Sequence, residues 1–131
     1  KYIKNLKFSI PSSKSFFLLS KNISNYKINI DIKSDKVKQN IIEVLTSLSL
    51  VPTTNNFEKI ETKIIYSTIV ELTNKNIKKD EIEKIILINV PAEIYSELRQ
   101  IFIFMFENSG FKDIKINKKI DFEKLYKLRK A

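Results

Sequence analysis

Residues 90–126 read VPAEIYSELRQIFIFMFENSGFKDIKINKKIDFEKLY, and the fold turns on how this stretch is read. Pro91 suits the first turn of a helix, where its missing N–H has no partner to lose. Gly110, the only glycine in the chain, ends the apolar run; after Asn108 and Ser109 it can take the left-handed conformation that closes a helix. Between them, Ile94, Leu98, Ile101 and Met105 recur at helical spacing on one face. Ile103, Phe104 and Phe106 lie off that face. The helix is therefore apolar on more than one side, yet Glu93, Glu97, Arg99 and Glu107 make it too charged, and its length too short, to cross a bilayer. It needs two covers: its own domain and, as the expected second, another copy of the chain.

Upstream the pattern changes to alternation. From Tyr2 to Pro11, Leu6, Phe8 and Ile10 alternate with polar residues, which predicts a strand with one buried face. Residues 12–24 read as a connection holding Phe16-Phe17-Leu18-Leu19, either a lid on the core edge or the lining of a groove. Tyr26, Ile28, Ile30 and Ile32 mark the inner face of a second strand, followed by a polar turn around Ser34-Asp35-Lys36. Ile42, Val44, Leu48 and Leu50 mark the third. After a turn over residues 52–56, a fourth runs from Phe57 to Leu72, with Ile60, Ile64, Tyr66, Val70 and Leu72 opposite Glu61, Lys63, Ser67 and Glu71.

Beyond Leu72 the period becomes helical. Asp80 and Glu83 form a candidate capping pair, and Ile82, Ile85 and Ile86 form a stripe that takes a short helix to about Asn89. The long helix follows, then an extended segment with Ile114 and Ile116, then a last helix capped by Asp121. Four strands and then helices predict an α+β fold: a four-stranded antiparallel sheet with helices packed on one face. At 131 residues, one domain spanning 1–131 is expected.

Composition narrows the chemistry. Without Cys or His, thiol nucleophiles, Cys/His zinc sites and His-dependent hydrolytic mechanisms are closed. One glycine leaves no glycine-rich phosphate loop. No enzyme is expected, and no cofactor or metal. Neither a secretory signal nor a membrane-spanning run is visible, so the cytoplasm is the expected compartment, with no membrane insertion. The net charge of +9 is uneven. Residues 1–38 carry nine lysines against Asp31 and Asp35, residues 39–110 seven basic groups against ten acidic, and residues 111–131 eight against three.

Taken together, Pro91, Gly110-Phe111, Ile114, Ile116, Ile120 and the run Asp121-Phe122-Glu123-Lys124-Leu125-Tyr126 resemble the C-terminal half of the SecB chaperone family. Leu6-Lys7-Phe8-Ser9-Ile10-Pro11 resembles its first strand, and the following strand patterns agree in order. The resemblance implies an ATP-independent chaperone that holds unfolded polypeptides in apolar grooves and assembles as a homo-oligomer, dimer or tetramer, through its long helices. It implies client contacts at Phe16, Phe17, Leu19 and Ile23 after the first strand and at Phe122, Leu125 and Tyr126 in the last helix. It likewise implies subunit contacts among Tyr95, Phe102, Phe104 and Phe106. In that family, acidic residues on the outer sheet face dock the translocase motor SecA. Here the matching positions hold Asn5, Ser9 and Lys63, which argues against that docking and for a narrower client, such as the antitoxin of a toxin–antitoxin system or an exported protein.

Two rival readings follow from charge and fold. A sequence pI of about 9.6, with Phe8 and Tyr26 on strands, is compatible with a nucleic-acid-binding module. Those aromatics are in phase with Leu6, Ile10, Ile28 and Ile30, however, and are expected to face the core, which weighs against nucleic acid. A structural oligomerisation or adaptor domain would share the fold and lack affinity for unfolded chains.

Overall fold

The computed structural model describes residues 1–10, 12–22, 26–52, 61–73, 76–111 and 116–130. Strands β1 (Tyr2–Ser9), β2 (Tyr26–Lys38), β3 (Ile41–Pro52) and β4 (Glu61–Glu71) form one antiparallel sheet in the order β1-β4-β3-β2. Helix α1 (Ser13–Asn22) falls between β1 and β2 in the chain, α2 (Lys79–Lys84) and α3 (Val90–Glu107) follow the sheet, and α4 (Phe122–Lys130) ends the fold. The expected α+β architecture is observed.

Alternation places the core. Val44, Thr46, Leu48 and Leu50 of β3 and Thr62, Ile64 and Tyr66 of β4 are buried on the helix-covered face. The register keeps this face apolar across the sheet, with Ile30 opposite Leu48, Leu48 opposite Ile64 and Ile64 opposite Leu6. Leu6 is 39% exposed despite being in phase, because β1 is an edge strand, with a neighbour on one side only among the described residues.

Several local expectations need correction. Residues 13–22 form a helix, not an irregular connection: the Ser12 hydroxyl accepts a hydrogen bond from the Ser15 N–H (3.1 Å), which caps it. The polar turn expected at residues 34–36 lies later, at Gln39-Asn40, after β2 passes through a bulge between Lys36 and Lys38. Polar side chains on an edge strand reach water without breaking the backbone ladder, so loss of apolar alternation did not end the strand. Asp80 is not a cap; α2 begins after Lys78, which makes no side-chain capping bond, and Asp80 sits in the first turn. The turn over residues 53–56, the start of the fourth strand at residues 57–60, and Ile114 lie outside the described residues.

Pro91 lies in the first turn of α3, as expected, but α3 is not separated from α2. Helix α2 runs into α3 through one π-helical turn, Ile85–Asn89, in which the Val90 N–H reaches the Ile85 carbonyl five residues back. Proline cannot donate to the carbonyl four residues before it, and its ring crowds that carbonyl. A wider turn just ahead lets the helix continue.

The end of α3 behaves as expected. Gly110 has φ +97°, the Phe111 N–H bonds the Phe106 carbonyl (3.0 Å) and the Gly110 N–H bonds the Glu107 carbonyl (3.2 Å). This is the paired closure of a helix by a left-handed residue, sealed by contact between the Phe106 and Phe111 rings at 5.6 Å.

A carboxylate on α3 ties the helix to the sheet. Glu97 accepts a hydrogen bond from the Tyr66 hydroxyl (2.8 Å) and pairs with the Lys1 ammonium. These two bonds, that from Lys1 foremost, hold its carboxyl below the ordinary value of about 4.5. The folded value lies below the unfolded one, so this stabilisation is complete above the ordinary carboxylate range and is lost as pH falls through the folded value. Glu97→Gln is therefore expected to flatten the acid limb of the stability profile, read as a smaller drop in the urea midpoint between pH ~7 and ~3.5 than the parent shows.

Candidate functional site

The inner face of β2 is not fully covered. A trough runs beside it, walled by the α2 segment, the π-helical turn and α4. Its first hollow, about 240 Å3, is lined by Ile30, Ile32, Leu87, Phe122, Leu125 and Tyr126, with Asp31 at the rim. A second, about 610 Å3, shares Ile32, Leu87 and Tyr126 and adds Ile86, Glu83, Lys33 and Ser34. A third, about 280 Å3, continues along Ser34, Asp35 and Lys36 towards Ile42, Leu72, Ile82 and Ile86. The floor is aliphatic and the rim carries both signs of charge.

Each wall has a local cause. Helix α4 starts where Asp121 Oδ1 accepts the Lys124 N–H (3.0 Å), as expected of a capping aspartate. Phe122 is 3% exposed and anchors the helix against Tyr95, with ring centroids 6.0 Å apart. The segment before it is held to α3 by two carbonyl bonds, from the Tyr95 hydroxyl to Asn117 (2.6 Å) and from Arg99 Nε to Ile116 (3.1 Å). Burial pushes the Tyr95 hydroxyl above its ordinary pKa, so it stays a neutral donor. Turned outward by the same helix, Leu125 is 49% exposed in the trough, and the Tyr126 hydroxyl meets Glu83 Oε2 at 3.4 Å. The π-helical turn supplies Leu87.

Of the seven side chains expected at a client site, Phe122, Leu125 and Tyr126 are together in the trough. Phe16 and Leu19 belong to the core: Leu19 is 1% exposed, and the Phe16 ring lies 5.0 Å from that of Phe111 and against Gly110. Phe17, one position along α1, points away and is 63% exposed. Ile23 lies outside the described residues.

Of the four expected at a subunit interface, Tyr95, Phe102 and Phe106 are 4%, 1% and 0% exposed within this single chain, enclosed in its own core. The buried face of α3 runs through Pro91, Ile94, Leu98, Phe102 and Phe106, not along the line ending in Ile101 and Met105, which are only half-buried. Aromatic residues fill the space between helix and sheet, as in the edge-on contact of Phe106 with Phe8 at 4.9 Å. Phe104 alone of the four remains outside, 61% exposed. Phe8 and Tyr26 are both half-buried and packed against the core, which weighs against their stacking on bases.

The sequence reading missed Ile86 and Leu87 as site residues. A signal existed: Ile85-Ile86-Leu87-Ile88 is an unbroken apolar run, and a helical segment cannot turn four consecutive side chains to one core. All four are half-buried.

Comparison with known proteins agrees with this geometry. The family model described as preprotein translocase subunit SecB matches residues 1–131. A putative protein-export protein SecB of Pelagibacter ubique is 41% identical over 128 residues, covering 98% of this chain and 91% of that protein. Protein-export proteins SecB of Bartonella quintana and Gluconobacter oxydans are 26% and 24% identical, each covering 99% of this chain and 80% and 79% of their own lengths. Among the described residues no helix is long and apolar enough to cross a membrane. With the family model matched from end to end and its sheet, proline-bearing long helix and Asp-capped last helix all in place, the chain belongs to the SecB family.

Proposed function

We propose that this chain is an ATP-independent chaperone that holds unfolded polypeptides in the trough beside β2. The observation that carries this reading is the combination of an aliphatic floor with an edge strand: among the described residues β2 has a strand partner, β3, on one side only. Unfolded chains share two features, apolar side chains and unpaired backbone groups. A trough lined by Ile30, Ile32, Leu87 and Leu125 takes the first, and a strand edge takes the second, so recognition needs no particular sequence. The names of the relatives support exported polypeptides as the clients, in preference to an antitoxin. Phe17 on α1 extends the apolar contact beyond the trough. The chain assembles as a homo-oligomer, a dimer or tetramer, through the outward side of α3, where Phe104 and the half-buried Ile103 stand.

The test is suppression of light scattering by a chemically unfolded, aggregation-prone client without nucleotide, with the same client folded as the control. Near-stoichiometric suppression is expected. Leu125→Asp is expected to weaken client affinity by about 10-fold or more, since burying one leucine is worth roughly 1.5–3 kcal/mol. Leu125 is half exposed, so the variant folds. Unchanged suppression by Leu125→Asp would remove the trough as the site, and no suppression by the parent would leave the adaptor reading.

A further inference from the structure

The outer face of the sheet, turned away from the helices, carries one row unlike its neighbours. Lys7 of β1 stands directly across from Lys63 of β4, Lys63 across from Ser49 of β3, and Ser49 across from Asn29 of β2. The row holds two ammonium groups, a hydroxyl and an amide, and no carboxylate. Like charges opposite one another on adjacent strands repel. Elsewhere on this face Lys4 is matched by Glu43 at 3.1 Å and Lys33 by Asp31 at 3.9 Å, but Lys7 and Lys63, like Lys27 on β2, have no ion-pair partner among the described residues. Between them, with Asn5 and Ile65, lies a hollow of about 100 Å3.

We infer that this hollow binds a single acidic side chain of a partner polypeptide laid across the outer face of the sheet. A carboxylate has two oxygens, so it can take a charge-assisted hydrogen bond from each ammonium while the Asn5 amide offers a further donor. The adjoining rows select the class of partner. Glu61 lies two residues from Lys63 on one side, and Asp31, opposite Ser47, lies in the adjoining row on the other. A nucleic-acid strand brings a charge at every nucleotide and meets those carboxylates. A peptide with one Asp or Glu among neutral residues does not. The hollow is on the face opposite the trough, so both can be occupied at once.

The test is an amide-shift titration of the 15N-labelled chain with the blocked peptide Ser-Ser-Glu-Ser-Ser and its Gln counterpart at low salt. The Glu peptide is expected to shift amides of residues 5–9 and 63–65 saturably, and 300 mM salt to weaken it. The Gln peptide, and separately the Lys63→Gln variant, are each expected to bind at least ~5-fold more weakly, the effect of losing one charge-assisted bond. Lys63→Gln relieves the repulsion with Lys7, so a fall in binding without a fall in the urea midpoint excludes unfolding as its cause. Lys14→Gln on α1 is the control and leaves the titration unchanged. Shifts scattered over lysines generally, or no saturable shift, overturn the assignment. Tighter binding of an oligothymidylate at the same residues overturns the choice of partner.

Discussion

Phe106→Ala is expected to lower stability by about 3–5 kcal/mol, the range for removing a fully enclosed phenylalanine. On a domain whose whole stability is about 5–15 kcal/mol this is a large fraction. The ring is 0% exposed and is the hub of an aromatic cluster, with Phe8 and Phe102 each 4.9 Å away and Phe111 at 5.6 Å. Its removal leaves a cavity bordered by β1, α3 and the chain after Gly110, elements that cannot all collapse into it. Phe104→Ala is the contrast. At a protein concentration where the parent is monomeric, it is expected to change stability by no more than about 0.5 kcal/mol, because the ring is 61% exposed. On the assembly through α3 proposed above, Phe104→Ala is expected to shift sedimentation at higher concentration towards smaller species. Urea unfolding of both variants measures the pair. Similar losses for the two in the monomer would contradict the orientation of α3.

Gly110→Ala is expected to be the next most damaging change. At φ +97° a side chain costs about 1–2 kcal/mol from backbone sterics alone. A Cβ there would also sit 3.0 Å from Phe16 Cζ and 3.1 Å from Cε2, so the Phe16 ring must give by a few tenths of an ångström. The two contributions separate in a double-mutant cycle. Phe16→Leu in the Gly110→Ala background is expected to recover the steric part and leave the backbone part. A loss of stability that is the same in both backgrounds would show that the ring is not in contact with residue 110.

Both variants touch residues the sequence singled out, with opposite success. The role of Gly110 was legible because helix termination is local: the residue's own φ, with two backbone bonds and one ring contact that span three to five positions, determines it. The same holds for Asp121, whose capping bond reaches three residues on. The inner faces of β3 and β4 were legible because side chains alternate along any strand whatever it packs against.

Phe106 was misread because periodicity states which residues share a face but not which face is covered. Helix α3 has more apolar residues than one face holds, and the sheet chose the line through Leu98, Phe102 and Phe106 over the line through Ile101 and Met105. Phe8 of β1 and Phe16 of α1 reach the Phe106–Phe111 pair from elsewhere in the chain, and nothing local to α3 encodes their approach. The trough has the same origin. Ile30 and Leu87 are unremarkable apart; they become a surface when β2 takes an edge position and the π-helical turn before Pro91 swings Leu87 towards it.

The sequence by itself determined the order and kind of elements other than α1, the helix stop at Gly110, the cap at Asp121, the inward faces of the strands and the family. These depend on backbone dihedrals and side-chain direction, which neighbouring residues set. Only the tertiary structure decided that β1 pairs with β4, that three of the four aromatic residues expected at an interface are enclosed, that Lys7 meets Lys63, and that Leu87 joins Leu125 and Tyr126 along β2. Those outcomes depend on which surfaces distant in sequence bury the most apolar area against each other, a property of the assembled chain and not of any segment.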